Sequence, residues 1–120
     1  MLFFYRFEYN GGGIYGAVEQ FCPRDDPRRQ QKPDGSWLPK KGHLYPNAQS
    51  FWTKIGLELY QKSGLLDWHL SVLPGEVTVC CSTLIGEPFY QDDFQIIVDA
   101  QVMQQVEEQP ARSFIAKYSA

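Results

Sequence analysis

The segment 3–9 restricts the fold more than any other part of the chain, because its aromatic and charged side chains alternate as in a β-strand. Successive side chains of a strand point to opposite faces of the sheet. One face would therefore carry only aromatic rings, those of Phe3, Tyr5, Phe7 and Tyr9. The other face would carry Phe4 with the oppositely charged pair Arg6 and Glu8. Three glycines follow at 11–13 and favour a turn soon after this strand.

Length and composition predict one folded domain over residues 1–120. The chain is 43% apolar and 15% aromatic, which is enough for a hydrophobic core. Its net charge of −3 argues against general binding to nucleic acid. The three cysteines are odd in number, and Cys80 and Cys81 are adjacent, so reduced thiols fit better than a disulfide framework. No signal pattern or long apolar run is present, so we expect a cytoplasmic protein that does not engage a membrane.

The remaining patterns predict an α+β fold, mainly an antiparallel sheet with one main amphipathic helix and a long basic loop. The helix would begin after Pro46 and end at Gly64. Its apolar residues recur at helical spacing: Ala48, Trp52, Ile55 and Leu59. Further strands are predicted over five segments: 14–21, 67–73, 76–81, 94–98 and 113–118. A short helix capped by Asp99 would cover 100–108.

The segment 22–46 is predicted to be a long irregular loop, because it contains five prolines. Between residues 23 and 43, six basic side chains outnumber three acidic ones. Cations beside aromatic rings suit stacking on nucleic-acid bases or binding to a protein partner. The candidate partner-binding residues are Arg28, Arg29, Trp37, Lys40 and Lys41. The alternative is a solvated loop whose tryptophan packs onto the body of the domain.

Arg6 and Glu8 form the best candidate for a ligand site. The guanidinium of an arginine grips a phosphate or a carboxylate at two points, and Glu8 would orient that group. The glycines at 11–13 would let the backbone approach a ligand closely. The alternatives are a solvated ion pair and a plain flexible hairpin. No spacing of cysteines and histidines matches a metal motif, so no metal site is predicted.

Three parts of the chain together resemble small uncharacterised proteins that are common in phages and mobile elements. Those proteins begin with a Tyr-Arg-x-Glu strand and a glycine-aromatic turn, and end with an acidic-aromatic-Gln strand. The matching segments here are Tyr5–Glu8 with Gly13–Tyr15, then Phe51–Thr53, and finally Asp92–Val98.

The same order of motifs is similar to that of ADP-ribosyltransferases. The matching positions are Tyr5 and Arg6, Phe51 and Thr53, and Gln91 with Asp93. The resemblance implies NAD as the ligand, with Arg6 gripping its pyrophosphate and Tyr15 or Tyr90 stacking on the nicotinamide. It implies Asp93 as the catalytic candidate, which would stabilise an oxocarbenium ion. The chain departs from the family in having Asp where the family has Glu, and in placing Thr53 on a predicted helix.

These patterns lead us to expect a small cytosolic binding or regulatory module. Its partner would be a protein or a nucleotide-like anion, bound by the Arg6/Glu8 face and the basic loop. The alternative is an ADP-ribosyltransferase-like protein that binds NAD, with or without turnover. Whether the protein is an enzyme stays open at the level of sequence. The candidate ligand-binding residues are Arg6, Glu8, Tyr15, Thr53, Tyr90 and Gln91.

Overall fold

An antiparallel β-sheet with helices packed on one face forms the framework of the protein. The computed structural model describes residues 2–26, 28 and 47–119, and within them it has seven strands, four α-helices and a 3₁₀ turn that precedes the last strand. The strands are β1 (Phe4–Tyr9), β2 (Gly12–Gly13), β3 (Ala48–Trp52), β4 (Thr78–Leu84), β5 (Tyr90–Gln91), β6 (Gln95–Asp99) and β7 (Met103–Pro110). The α-helices are α1 (Ile14–Phe21), α2 (Lys54–Lys62), α3 (Leu65–Val72) and α4 (Ala111–Ser119), and the 3₁₀ turn is Ala100–Val102.

The strand order across the sheet is β5-β6-β3-β1-β4-β7, and β2 pairs with β1 beside this path. All of these pairings are antiparallel. The predicted α+β class is therefore confirmed. The described residues form one compact unit with a radius of gyration of 13.5 Å. Among them, no helix is both long enough and apolar enough to cross a membrane.

The side chains of β1 alternate between two different hydrophobic cores on the two faces of the sheet. Tyr5 and Phe7 belong to the main core, to which all four α-helices contribute side chains. Phe4 belongs to a smaller cluster on the opposite face of the sheet, with Phe51, Ile96 and Val98. Aromatic side chains bury large apolar areas. Rings on both faces therefore anchor β1 to both cores.

Two segments that were predicted as strands are helices, so the strand predictions over 14–21 and 67–73 were wrong. α1 buries Ile14, Ala17 and Val18, which share one face of a helix. α3 buries residues with a similar spacing: Leu65, Leu66, His69 and Leu70. Segments of eight residues contain only about two helical turns, so their periodicity is a weak signal. Packing against the sheet decides their conformation.

The main predicted helix starts later than its proposed apolar stripe. Ala48–Trp52 is strand β3, and α2 begins at Lys54 after its N-cap Thr53. The side chains that α2 turns inward differ from the predicted stripe: Gly56, Leu57 and Tyr60. Ile55, which belonged to that stripe, is 55% exposed. Pairing with β6 along five residues keeps β3 extended, so tertiary contacts override the local helical spacing.

The C-terminal third of the chain also differs from the prediction. The described residues contain four α-helices in all, rather than the one main helix that was predicted. The side chain of Asp99 accepts a hydrogen bond from the Gln101 amide, as expected, but only a 3₁₀ turn follows it. Residues 103–110 are strand β7 and not helix, because they pair with β4. The predicted strand over 113–118 lies in α4, which buries Ala111 and Phe114 in the main core. The strands predicted at 76–81 and 94–98 correspond to β4 and β6.

Candidate functional site

A local gap in the sheet lies beside the middle of β1. β4 pairs with one edge of β1 along its length. The other edge is shared by two strands that do not meet. β3 pairs there at Tyr5–Trp52, and β2 pairs there at Glu8–Gly13. Between these two contacts, Arg6 and Phe7 have no paired strand on that edge among the described residues.

This gap is a cleft of about 170 Å³, which we call the notch. Its apolar walls come from both sides of the sheet and from the start of α1: Phe7, Ile14, Tyr15, Phe51 and Trp52. Its polar lining includes Arg6 and Gln95, together with the backbone around Gly13 and Gly16. The notch therefore joins an apolar wall to a small set of hydrogen-bonding groups, which is typical of a ligand site.

Arg6 spans the notch with two fixed contacts. Its Nε donates a hydrogen bond to Glu8 Oε2 at 3.0 Å, and its Nη1 donates to the Ser50 carbonyl at 3.1 Å. The guanidinium carbon lies 6.0 Å from the centre of the Phe51 ring. Nη2 has no hydrogen-bond partner among the described residues. A methyl group at Gly13 would lie 3.2 Å from Nη2, so this nitrogen points to the start of α1.

Glu8 holds the guanidinium in place. Its second oxygen, Oε1, accepts a hydrogen bond from Cys80 Sγ at 3.2 Å. Burial and this carboxylate raise the pKa of the Cys80 thiol to about 12, so the thiol stays protonated and acts as a donor. Both carboxylate oxygens of Glu8 are thus occupied within the chain. Glu8 is a positioning residue for Arg6, which gives the sequence-predicted pair a defined geometry.

The first turn of α1 lies against the same cleft. The first N–H groups of a helix have no acceptor within the helix and carry a partial positive charge. Gly13 is the N-cap of α1 and offers no side chain to accept hydrogen bonds from them. The first turn also contains no acidic residue. Because the β1–β2 pairing directs the Ile14 amide at the Phe7 carbonyl, the Gly16 amide of this turn remains as a donor for an anion.

Gln95 contributes a buried amide to the notch. It is 4% exposed, and its Nε2 has no hydrogen-bond partner among the described residues. A buried donor without a partner costs about 1–3 kcal/mol. Gln95 lies opposite Trp52 in the β3–β6 ladder, and its backbone is fixed by Asp92 at the entry to β6. One residue of the cleft lining thus holds a buried, unsatisfied donor.

A layer of packed rings supports the notch from the core side. Tyr15 packs edge-on against His69, with ring centres 4.8 Å apart, and Trp52 packs on Tyr60 at 4.9 Å. The Tyr60 hydroxyl and His69 Nδ1 are hydrogen-bonded at 2.5 Å. Burial lowers the pKa of His69 to about 4, so its ring is neutral at pH 7. These contacts fix the ring of Tyr15 at the cleft.

Three of the predicted ligand-binding residues come together, namely Arg6, Glu8 and Tyr15. Thr53 lies outside the notch lining and caps α2: its hydroxyl accepts from the Gly56 amide at 3.0 Å and donates to the Asp93 carbonyl at 2.6 Å. The side chain of Asp93 is exposed in the turn between β5 and β6.

Tyr90 and Gln91, the other two candidates, form the short edge strand β5. The Tyr90 hydroxyl donates to Asp92 Oδ2 at 2.7 Å, and Gln91 is exposed. Both residues pair with β6 rather than line the notch. The structure therefore places Arg6, Glu8 and Tyr15 at or beside the notch, Tyr90 and Gln91 in the β5–β6 hairpin, and Thr53 at the start of α2.

Most of the predicted basic loop lies outside the described residues, including Arg29, Trp37, Lys40 and Lys41. Arg28 is described, and it is engaged within the chain. Its guanidinium donates two hydrogen bonds to Asp26 and lies 4.2 Å above the centre of the Trp68 ring. The Arg28 hydrogen bonds lower the pKa of Asp26 to about 2. Arg28 thus attaches this part of the chain to α3.

Sequence reasoning missed two parts of the notch, the amide of Gln95 and the start of α1. Gln95 had one visible signal, since it is a polar side chain within an otherwise apolar strand, 94–98. The start of α1 was missed because 14–21 was predicted to be a strand.

Comparison with protein-family models, curated proteins and solved structures found no match. The resemblances to phage-type proteins and to ADP-ribosyltransferases therefore remain predictions. The function has to be derived from the geometry of the notch.

Proposed function

We propose that this protein is a small binding module that captures a partner through an anionic group placed in the notch. The observation that carries this proposal is the Arg6 guanidinium held rigidly beside the uncapped first turn of α1. Fixed donors cost little reorganisation on binding. An arginine fork and a helix N-terminus also favour the same kind of charge.

The side chains at the notch are better suited to binding an anion than to catalysing a reaction. Glu8 is the carboxylate nearest to the guanidinium, and its two oxygens are held by Arg6 and Cys80. A general base needs a free acceptor within reach of its substrate. Of the described residues that line the notch, none carries a carboxylate.

The partner in this proposal is a protein, with a nucleotide-like molecule as the second choice. The basic segment 23–43 would extend the contact beyond the notch, because its charge is opposite to that of the remaining chain. This part of the proposal is tested by replacing Arg29, Trp37, Lys40 and Lys41 together. Binding of a partner identified through the notch should then weaken and become less sensitive to salt. Unchanged affinity and salt dependence would contradict a role for the segment.

An ADP-ribosyltransferase-like role is the alternative proposal, supported by Arg6 and Tyr15 sharing the notch. The cleft of about 170 Å³ is smaller than the range of roughly 300–1,000 Å³ that is usual for ligand pockets. NAD would lie mostly outside it. This alternative predicts NAD hydrolysis or target labelling that disappears in Asp93→Ala. Absence of both turnover and saturable NAD binding in the wild-type protein would contradict the alternative.

Isothermal titration calorimetry with a panel of anions tests the leading proposal. The panel contains inorganic phosphate, ADP-ribose, NAD and short-chain carboxylates. We expect at least one to bind saturably at one site, and Arg6→Lys to weaken that binding by about tenfold or more, because lysine keeps the charge but loses the fork.

Arg112→Lys is the matched control, since Arg112 is exposed on α4 and does not line the notch. Its binding should equal that of the wild type. The proposal is wrong if no anion in the panel binds saturably, or if both lysine variants behave alike.

A further inference from the structure

We infer that the ligand group is a carboxylate with a single negative charge, carried by one small apolar group. This inference rests on the proposed function and deepens it by naming the chemistry of the bound group. Such a group occurs in free short-chain carboxylic acids and at the C-terminal residue of a peptide. Charge, size and hydrogen bonding each favour it.

The charge at the notch suits one negative charge rather than two. Arg6 is already paired with Glu8 at 3.0 Å, so the pair is close to neutral. The start of α1 adds about half a positive charge. A phosphate monoester carries about −1.5 to −2 at pH 7 and would lie close to the carboxylate of Glu8. A carboxylate carries one negative charge, and its planar geometry matches the guanidinium fork.

The size of the notch suits one apolar side chain. A cavity of about 150 Å³ lined by apolar side chains is large enough for benzene. The notch has about 170 Å³, and its walls include Phe7, Ile14, Phe51 and Trp52. The carboxylate would lie between Arg6 Nη2 and the first turn of α1. The apolar group would then occupy the space against the rings.

Gln95 supplies the independent sign of a ligand. Its Nε2 is buried, lies in a residue that lines the notch and has no acceptor among the described residues. An oxygen of the ligand would satisfy it. In a peptide, the carbonyl before the last residue offers this acceptor, whereas in a free acid only the second carboxylate oxygen does.

The test uses four probes, 4-methylpentanoate and the peptide acetyl-Ala-Ala-Leu, each as the acid and as the amide. Affinity is measured by calorimetry, with phenyl phosphate as a fifth ligand. We expect the acids to bind and the amides to bind at least about tenfold more weakly, because the charge-assisted hydrogen bonds are lost. A peptide acid that binds at least about tenfold tighter than 4-methylpentanoate identifies a peptide C-terminus as the source. Equal affinities identify a free acid.

Two variants connect the binding to the notch. Gly13→Ala places a methyl group 3.2 Å from Arg6 Nη2, at the entrance to the carboxylate position, and should abolish binding of the acids. Gln95→Met keeps the length of the side chain but removes its donor, and should weaken binding about threefold to tenfold. Thermal melting of both variants checks that they fold.

The outcomes separate this inference from the proposed function. Phenyl phosphate could bind more tightly than either acid, with weaker binding in Arg6→Lys. That result would contradict a carboxylate ligand but would still support an anion-binding module. Equal affinities of the acids and their amides would also contradict a carboxylate ligand. Absence of binding for every probe, including the anion panel, would overturn both.

Discussion

Replacing Gly56 with alanine tests the packing that holds the notch together. Gly56 is in α2, where the helix approaches the start of β6 so closely that an added Cβ would lie 2.0 Å from the Phe94 carbonyl oxygen and 2.9 Å from the Trp52 ring. The same carbonyl accepts a hydrogen bond from the Thr53 amide at 3.0 Å. Gln95 and Trp52, which adjoin this contact, both line the notch.

The cost of Gly56→Ala follows from this geometry. The carbonyl oxygen is backbone and has to move by at least about 1 Å to reach the closest separation that real Cβ atoms show. Overpacking of this kind costs about 1–3 kcal/mol, and weakening the Thr53 hydrogen bond adds about 1 kcal/mol. Alanine returns about 1 kcal/mol through its higher helix propensity. The net loss is about 2 kcal/mol, which lowers Tm by about 8 °C for a domain of this size.

Gly16→Ala is the matched control within another helix. An added Cβ at Gly16 would have no heavy atom within 4 Å, so only the gain in helix propensity remains. We expect Tm to rise by about 2–4 °C in this variant. Thermal melting followed by circular dichroism measures both variants. A Tm for Gly56→Ala equal to or above that of the wild type would refute the close contact between α2 and β6.

Three further predictions concern stability and thiol chemistry. Burial lowers the pKa of His69 to about 4 in the folded protein. In the unfolded chain the same side chain binds a proton below about pH 6.5. Because the unfolded state binds this proton first, the free energy of unfolding should fall by about 2 kcal/mol between pH 7 and pH 4.5. Urea unfolding at the two pH values measures this fall, which should shrink in His69→Phe; an equal fall in both proteins would contradict it. Thr53→Ala should lower the free energy of unfolding by about 1–2 kcal/mol, because it removes the N-cap of α2. Thr53→Ser should leave the free energy of unfolding unchanged, because serine keeps the cap. Equal losses in the two variants would argue against capping. Cys80, whose pKa is raised to about 12, should be alkylated about 1,000-fold more slowly at pH 8 than an unstructured cysteine. Mass spectrometry measures the rate of alkylation at Cys80. Rapid labelling of Cys80 in the native protein would contradict its buried contact with Glu8.

The β1 strand could be predicted from sequence because its pattern is local. Seven consecutive residues alternate, and each face meets its own core, so propensity and packing agree. The helices α1 and α3 could not be identified in the same way. They are short, and only their contacts with the main core favour the helical over the extended conformation.

The candidate site was accessible to sequence reasoning only in part. Arg6 and Glu8 are two residues apart in a strand, so their pairing on one face follows from the pleat. The notch itself arises because β2 and β3 share one edge of β1, with 34 residues between Gly13 and Ala48 in the chain. Pairing over such a distance has no local signature. For the same reason, the presence of Gln95 and Arg6 in one cleft lining could not be predicted from the sequence.

The proposed position of the bound anion lies in the notch, between Arg6 and the first turn of α1. Amide chemical shifts in ¹⁵N-labelled protein test it most directly, during titration with 4-methylpentanoate and then with inorganic phosphate. We predict saturable shifts of the Gly16 amide and of the Arg6 Nε–H signal with at least one of these anions. The amides of Arg112 and Ser113, at the start of α4, serve as the internal control and should not saturate. Shifts that stay linear with concentration, or that are equal at the starts of α1 and α4, would contradict anion binding at this position.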